Sequence, residues 1–336
     1  MKENKVVIFG PWCGEFSYEL SWLNPEIRKV KNDNFKNWHA VHVGFKGRRA
    51  MYKDFIDDYI PYPKELEETL KYPAAGGEHI IDVGEVIPKQ LEDFMYQIAE
   101  PYQHKYDEVR LYMSDPTSFN GGKRIYDEEP NGEYIHYEVN PVLYNEVKDE
   151  IKTHFSNDRE TIALMARIRD RNRGENTGGC YLNWNPESWE IFLDRVINEL
   201  NVNIVTINLS TAGAAGGAMS FEDTELYKKN KENMMTINFD NDDDSLDRQL
   251  ALLEYCKCSI YGASGSAVLP FFVKGASSFT QQTVEEGFRL KYKWERNLTN
   301  DLEKIKVFDK YHSGEDLYKS SPDELFEEFK EFYRSL

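Results

Sequence analysis

The sequence predicts an α/β protein of two successive halves, each built from parallel strands and covering helices. Three observations carry this. The chain opens as strand, helix, strand with short links, the pattern of parallel α/β units. A second series of the same kind starts at Thr161-Ile-Ala-Leu-Met-Ala. The 336 residues exceed what one hydrophobic core usually organises and suit two domains.

Each element follows from its residues. Val6-Val7-Ile8-Phe9 is a first strand, too short for the apolar core of a signal peptide. A Gly-Pro-Trp-Cys-Gly loop follows, then a helix over about 16–30. Residues 38–44 form a second strand, 47–59 read as helical, and Ile60-Pro-Tyr-Pro as a loop. The stretch 72–140 is polar, aromatic and turn-rich; it suits specificity loops, and its regular structure is not assigned. A helix over 147–156 closes the first half. The strand from Thr161 is read as running towards Arg169, with a charged, glycine-rich loop over 170–185 after it.

Pro186 suits the first position of the next helix, where Trp189, Phe192, Val196 and Leu200 recur three or four apart. Strands are expected at 202–208, 235–239 and 258–261, and a short last one at 278–280. Helices are expected at 245–256 and 267–273, and an amphipathic acidic helix at 322–333. The domain bounds read 1–156, 157–320 and a C-terminal helix, 321–336.

The net charge of −18 argues against a passive nucleic-acid binder, which needs a cationic surface. It leaves room for an enzyme with one local basic groove. No apolar run approaches the ~18–20 residues of a membrane span. With no leader visible, the expected location is the cytoplasm, bacterial or that of a phage-infected host. Cys13, Cys180, Cys256 and Cys258 contain no C-x-x-C, so reduced structural thiols are expected. The seven histidines show no H-x-x-x-H or H-E-x-x-H spacing, which speaks against histidine-bound catalytic metal.

The most informative stretch is Ser259-Ile-Tyr-Gly-Ala-Ser-Gly-Ser-Ala-Val-Leu-Pro-Phe-Phe272. It reads as a strand end, a Gly/Ser turn and an apolar helix. Such a turn leaves backbone N–H groups unpaired at the positive end of the helix dipole, a setting for phosphate. The same residues also suit a plain N-capped helix. Arg167 and Arg169 follow a strand, and guanidinium groups pair bidentately with phosphate; a solvated basic loop is the alternative. Asp240 and Asp242 form a D-x-D after a strand, an alternative site for a divalent cation. Those acids equally suit the N-terminus of the helix starting near Ser245.

Taken in order, Arg167, Arg169, Asn185-Pro-Glu-Ser-Trp189 and Gly262-Ala-Ser-Gly-Ser-Ala resemble the donor half of GT-B glycosyltransferases. Gly14-Glu15, with the helix after it, resembles the Gly-Asp loop of their heptosyltransferase-like branch. The string Gly-Pro-Trp-Cys-Gly-Glu-Phe-Ser-Tyr-Glu-Leu also resembles bacterial and phage glycosyltransferase-like proteins. The resemblance spans about 60% of the chain in scattered motifs. It implies two Rossmann-like domains facing across a cleft, with the acceptor bound by the first and a nucleotide-sugar by the second. It implies sugar transfer from a nucleotide-diphosphate donor to an acceptor hydroxyl, metal-independent and inverting. Glu15 would be the catalytic base, and Glu19, one turn later, the alternative base. Arg167, Arg169, Ser264, Gly265 and Ser266 would hold the diphosphate, and Asn208 and Ser210 the nucleotide. Trp12, Gly14 and Tyr18 would meet the acceptor.

Glutamate stands at position 15 where the branch has aspartate, and arginines stand where it offers a lysine, so the sugar is not assigned. No cofactor is expected beyond the nucleotide-sugar co-substrate. The alternatives are a nucleotide-sugar epimerase or hydrolase of the same fold, or a non-catalytic nucleotide- or glycan-binding protein. The acceptor is a glycan, a small molecule or modified DNA; the net charge counts against hydroxymethylated phage DNA.

Overall fold

A computed structural model describes residues 4–12, 16, 19–71, 89–113, 132–168, 184–208, 217–239, 243–262, 264–281, 304–308 and 320–336. The chain divides into two compact units, Met1–Ile135 with Asn241–Leu246, and His136–Asp240 with Asp247–Leu336.

The first unit is built on a four-stranded parallel sheet. Its strands are β1 (Lys5–Gly10), β2 (His39–Gly44), β3 (Asp58–Pro61) and β4 (Glu108–Met113), in the order β3-β2-β1-β4. β1 is central, and Val6 to Phe9 are completely buried, which is why they read as an unbroken apolar run. Gly10 ends the strand at φ +125°, and a Cβ there would come within 2.6 Å of the Val43 carbonyl oxygen, so only glycine fits. The helices are α1 (Asn24–Asn34), α2 (Lys64–Lys71) and α3 (Lys89–Gln103).

Two expectations change in this unit. The helix expected from Phe16 is α-helical at Phe16, carries a π-turn at Glu19–Leu23 and is α-helical again from Asn24, with Pro25 in the first turn of that part. The helix expected over 47–59 is a single 3₁₀ turn, Arg49–Met51, leading into β3. Met51, Tyr52 and Ile56 of this stretch are buried. β3 is a half-exposed edge strand, where alternation is weak and a terminal proline is tolerated. α1 is fixed to this turn by Arg28, almost fully buried. It donates to both carboxylate oxygens of Asp54 (2.8 and 3.1 Å) and to the Met51 carbonyl (3.2 Å).

The second unit holds a six-stranded parallel sheet: β5 (Thr161–Met165), β7 (Asn203–Asn208), β9 (Met234–Asn238), β10 (Cys258–Tyr261), β11 (Ser278–Gln281) and β12 (Ile305–Phe308). Their order is β12-β11-β10-β5-β7-β9. Its helices are α4 (Pro141–His154), α5 (Pro186–Leu200), α6 (Glu225–Lys229), α7 (Ser245–Tyr255) and α8 (Pro322–Ser335). The periodic residues Trp189, Phe192 and Val196 of α5 are buried in one cluster with Phe279 of β11 and Phe329 of α8. Arg195 holds α8 against α5 from outside, donating to Asp323 and Glu327 while its guanidinium lies 3.9 Å from the Phe326 ring centroid.

Three corrections apply here. The strand expected to run through Arg167 towards Arg169 stops at Met165. Arg167–Ile168 is a separate strand, β6, paired antiparallel with β8 (Gly217–Ala218). The apolar helix expected at 267–273 is a 3₁₀ helix, Gly265–Phe272, with Pro270 inside it. Ser278–Gln281 is not the last strand, because β12 pairs with it in parallel. Among the described residues no helix is long and apolar enough to cross a membrane.

Candidate functional site

The second sheet has a reversal of strand order. From the β5/β10 boundary, β5, β7 and β9 run one way and β10, β11 and β12 the other. Open parallel sheets bind ligands outside the carboxyl ends of their strands at such a switch point. Here the two central strands end level, since Met165 pairs with Tyr261, and the Gly262 N–H donates to the Met165 carbonyl (2.8 Å). Arg167 lies two residues beyond the end of β5, and Ser264 three beyond the end of β10. Asn208 is the last residue of β7, the next strand along. Three residues picked from distant parts of the sequence therefore emerge from three adjacent strands at one edge. Arg169 and Ser210 lie outside the described residues.

The turn after β10 is a donor-rich helix entry. Ser264 is the N-cap of the 3₁₀ helix, and its carbonyl accepts from the Ala267 N–H at 3.1 Å. The N–H groups of Gly265 and Ser266 precede the first intrahelical bond. The Ser264 hydroxyl oxygen is buried and has no hydrogen-bond partner among the described residues. A buried hydroxyl gains roughly 1–3 kcal/mol by meeting an acceptor, so this one suits a ligand oxygen. A hydroxyl and helix N-terminal amides together suit an anion. At the end of β7, the Asn208 side-chain amide donates to the Asn238 side-chain oxygen of β9 (2.7 Å), so two exposed carboxamides sit side by side at the same edge.

In the first unit, β1 leads through Pro11 to Trp12. Trp12 was expected at the acceptor, but it is only 2% exposed, and its ring packs into the unit. The Tyr62 hydroxyl pins its backbone, accepting from the Trp12 N–H (2.8 Å) and donating to the Trp12 carbonyl (2.9 Å). Gly14, Glu15 and Tyr18 lie outside the described residues.

Glu19 is completely buried. One carboxylate oxygen accepts from the Arg48 guanidinium and the other from the Tyr52 hydroxyl (2.8 Å). Burial alone would make Arg48 less basic, but the Glu19 carboxylate outweighs it and the arginine is raised above its ordinary value. The Arg48 guanidinium also lies 4.3 Å from the Phe45 ring centroid and 5.2 Å from that of Phe16. Against Tyr52 stacks His42, with ring centroids 3.8 Å apart. His42 is fully buried and neither ring nitrogen has a partner among the described residues; burial lowers its pKa to about 3. Burial, then the charge of Glu19, raises the neighbouring Tyr59 hydroxyl well above its usual range.

Arg48, Tyr52 and His42 were not singled out from sequence. A signal existed in Lys46-Gly-Arg-Arg49: cations directly beyond a strand end in an acidic chain.

Asp240 and Asp242 lie outside the described residues. Among the described residues no group of three acids, histidines or cysteines could hold a metal ion. Cys256 and Cys258 are buried and unbridged, and burial raises both thiols, which keeps them unreactive.

No protein-family model matches the chain, and no curated protein matches it. Solved structures do. The Escherichia coli ADP-heptose LPS heptosyltransferase II is 12% identical, with 98% of this chain and 99% of that chain covered and a TM-score of 0.52. The glycosyl transferase family 9 structure from Veillonella parvula is 13% identical, with 100% and 99% covered and a TM-score of 0.55. At such identities the likeness is one of fold, and it extends along the whole chain. The α/β class with two parallel Rossmann-like sheets, expected from the motif order, is the fold of these glycosyltransferase structures.

Proposed function

We propose that this protein is a glycosyltransferase that moves a sugar from a nucleotide-diphosphate donor to an acceptor hydroxyl. The observation that carries the reading is the second unit's switch point. There the Ser264 hydroxyl, which has no partner among the described residues, the 264–266 turn and the Arg167 strand end follow the carboxyl ends of adjacent strands. The fold shared with an ADP-heptose heptosyltransferase and a family 9 glycosyl transferase supports the same chemistry.

In this reading the donor diphosphate lies against the turn, and Arg167 and Arg169 neutralise the charge that develops as it leaves. Asn208 and Ser210 face the nucleoside. The acceptor oxygen bonds to the anomeric carbon as the bond from that carbon to the diphosphate breaks, with inversion. The acceptor proton passes to the Glu15 carboxylate, which follows β1 in the chain. Glu19, with both oxygens occupied by Arg48 and Tyr52, is better suited to holding the Glu19–Leu23 turn than to taking a proton. Arginines and backbone amides replace a metal ion in this scheme, and the enzyme works in the cytoplasm.

Thermal-shift screening against UDP-, GDP-, ADP- and CMP-sugars, with and without EDTA, tests the donor site. One nucleotide should stabilise the protein, and EDTA should not abolish the effect. A strict manganese requirement would move the diphosphate contact to Asp240 and Asp242. Glu15→Gln should lower transfer by about 10²–10⁴-fold while nucleotide binding is kept. Unchanged turnover would remove Glu15 from the role of base.

A further inference from the structure

β5 stays in its sheet only as far as Met165. Its last register pairs are Leu164 with Thr206 of β7 and Met165 with Tyr261 of β10. The next residue, Ala166, gives its carbonyl to a different partner and accepts from the Met219 N–H at 2.6 Å. Arg167 and Ile168 then pair antiparallel with Ala218 and Gly217 of β8. The backbone of Arg167 therefore stands on a ladder of two residues and not on the six-stranded sheet, and β8 sets its place.

So short a ladder has little stability of its own. The support for β8 comes from the residues that follow it. Ala218 is buried, and the Met219 side chain packs against the aromatic cluster under α5. Phe221, only 1% exposed, belongs to that cluster together with Trp189 and Phe192. The Phe221 carbonyl accepts from both the N–H (2.9 Å) and the hydroxyl (2.7 Å) of Thr224, the N-cap of α6. All of these contacts lie within the second unit. They make one continuous line of support, from α5 through Phe221 and Met219 to Ala166 and Arg167. A cationic residue on a backbone fixed in this way loses less freedom on meeting an anion than one on an unsupported loop.

We propose that the segment 218–221 positions Arg167 for anion binding. Met219 is the positioning residue: its N–H fixes Ala166, and its side chain fixes β8 on the core. It acts through Arg167 and touches no ligand. The ladder stands on the contacts above; its use, to place Arg167 against a diphosphate, rests on the glycosyltransferase reading.

Hydrogen exchange on the full chain tests the ladder without any ligand. Met219→Pro removes the N–H, and the extended Ala218 before it is compatible with a following proline. Exchange in 166–168 should rise about tenfold in this variant. Met219→Ala keeps the N–H and loses the packing; it should raise exchange about threefold and serves where the proline variant does not fold. Met219→Leu, which keeps both, should match wild type. Calorimetric titration with inorganic pyrophosphate tests the use. Arg167→Gln should weaken binding roughly tenfold, and Met219→Pro by a similar factor. The two together should weaken it no more than Arg167→Gln alone, because they remove one interaction. Losses that multiply, or an affinity that Arg167→Gln lowers and neither Met219→Pro nor Met219→Ala does, would overturn the positioning role. Exchange in 166–168 that ignores both Met219 variants would overturn the ladder itself. If exchange responds but the wild type binds neither pyrophosphate nor a nucleotide, the glycosyltransferase reading fails and the ladder stands.

Discussion

The interiors of the two units are made differently. The second packs Trp184, Trp189, Phe192, Phe279, Phe329 and Phe332 in one cluster, and the polar side chains it buries, such as Thr206, Ser259, Ser278 and Thr280, carry no charge. The first unit buries Glu19, Arg28, Lys31 and His42 among its apolar side chains. Much of that polar material lies where the chain leaves the carboxyl ends of β1 and β2. The contrast suggests two ways of supporting a site. The 264–266 turn can rest on an apolar core, because its own amides supply the polarity. The Glu19–Leu23 turn is held by a charged network, which fixes direction as well as depth but depends on every partner being present.

The comparison can be broken most strongly from the apolar side. Phe192 is completely buried, with ring centroids 6.0 Å from Trp189 and 5.9 Å from Phe329. Phe192→Ala should cost about 3–5 kcal/mol of second-unit stability. Urea unfolding followed by hydrogen exchange of each sheet would show whether the loss stays in β5, β7 and β10.

On the polar side, Arg48→Met leaves the buried Glu19 carboxylate with the Tyr52 hydroxyl alone among the described residues. The expected loss is about 3 kcal/mol, because an uncompensated buried charge remains. Adding Glu19→Gln should restore a large part of it. If single and double variants lose equally, the pair is not what holds the turn.

The effect that is smallest within any one pH unit sharpens the contrast through pH. His42 is held at about 3 in the folded chain against an ordinary 6.5. Below 6.5 the unfolded chain binds a proton that the folded chain refuses. First-unit stability is therefore fully present above 6.5. It should fall by up to about 1.4 kcal/mol per pH unit as pH drops from 6.5 towards 3. His42→Phe should flatten this contribution while keeping the stack on Tyr52. Equal acid sensitivity in the variant would assign the slope to other groups.

The legible parts of the fold were those governed by local burial. β1, β5 and β7 are buried on both faces and appear in the sequence as unbroken apolar runs. α5 announces itself by its periodic apolar face and Pro186. β3 and β12 are half-exposed four-residue strands, too short for a period to emerge. The 3₁₀ character of Gly265–Phe272 was hidden because its apolar residues suit an α-helix equally well. At the site, the Ser/Gly turn was legible because its chemistry is contiguous. The burial of Trp12 was not, since it depends on Tyr62, fifty residues away.

The sequence by itself determined where amides, hydroxyls and guanidiniums follow strand ends, since that is a matter of neighbours along the chain. Only the tertiary structure decided that β10 lies beside β5, which brings the Ser264 turn and the Arg167 strand end to one edge. It alone took Glu19 out of water and gave it to Arg48 and Tyr52. The physical reason is the same in both cases. Strand order and burial are set by long-range packing, where the free energy of covering apolar surface is shared among residues that no local pattern connects.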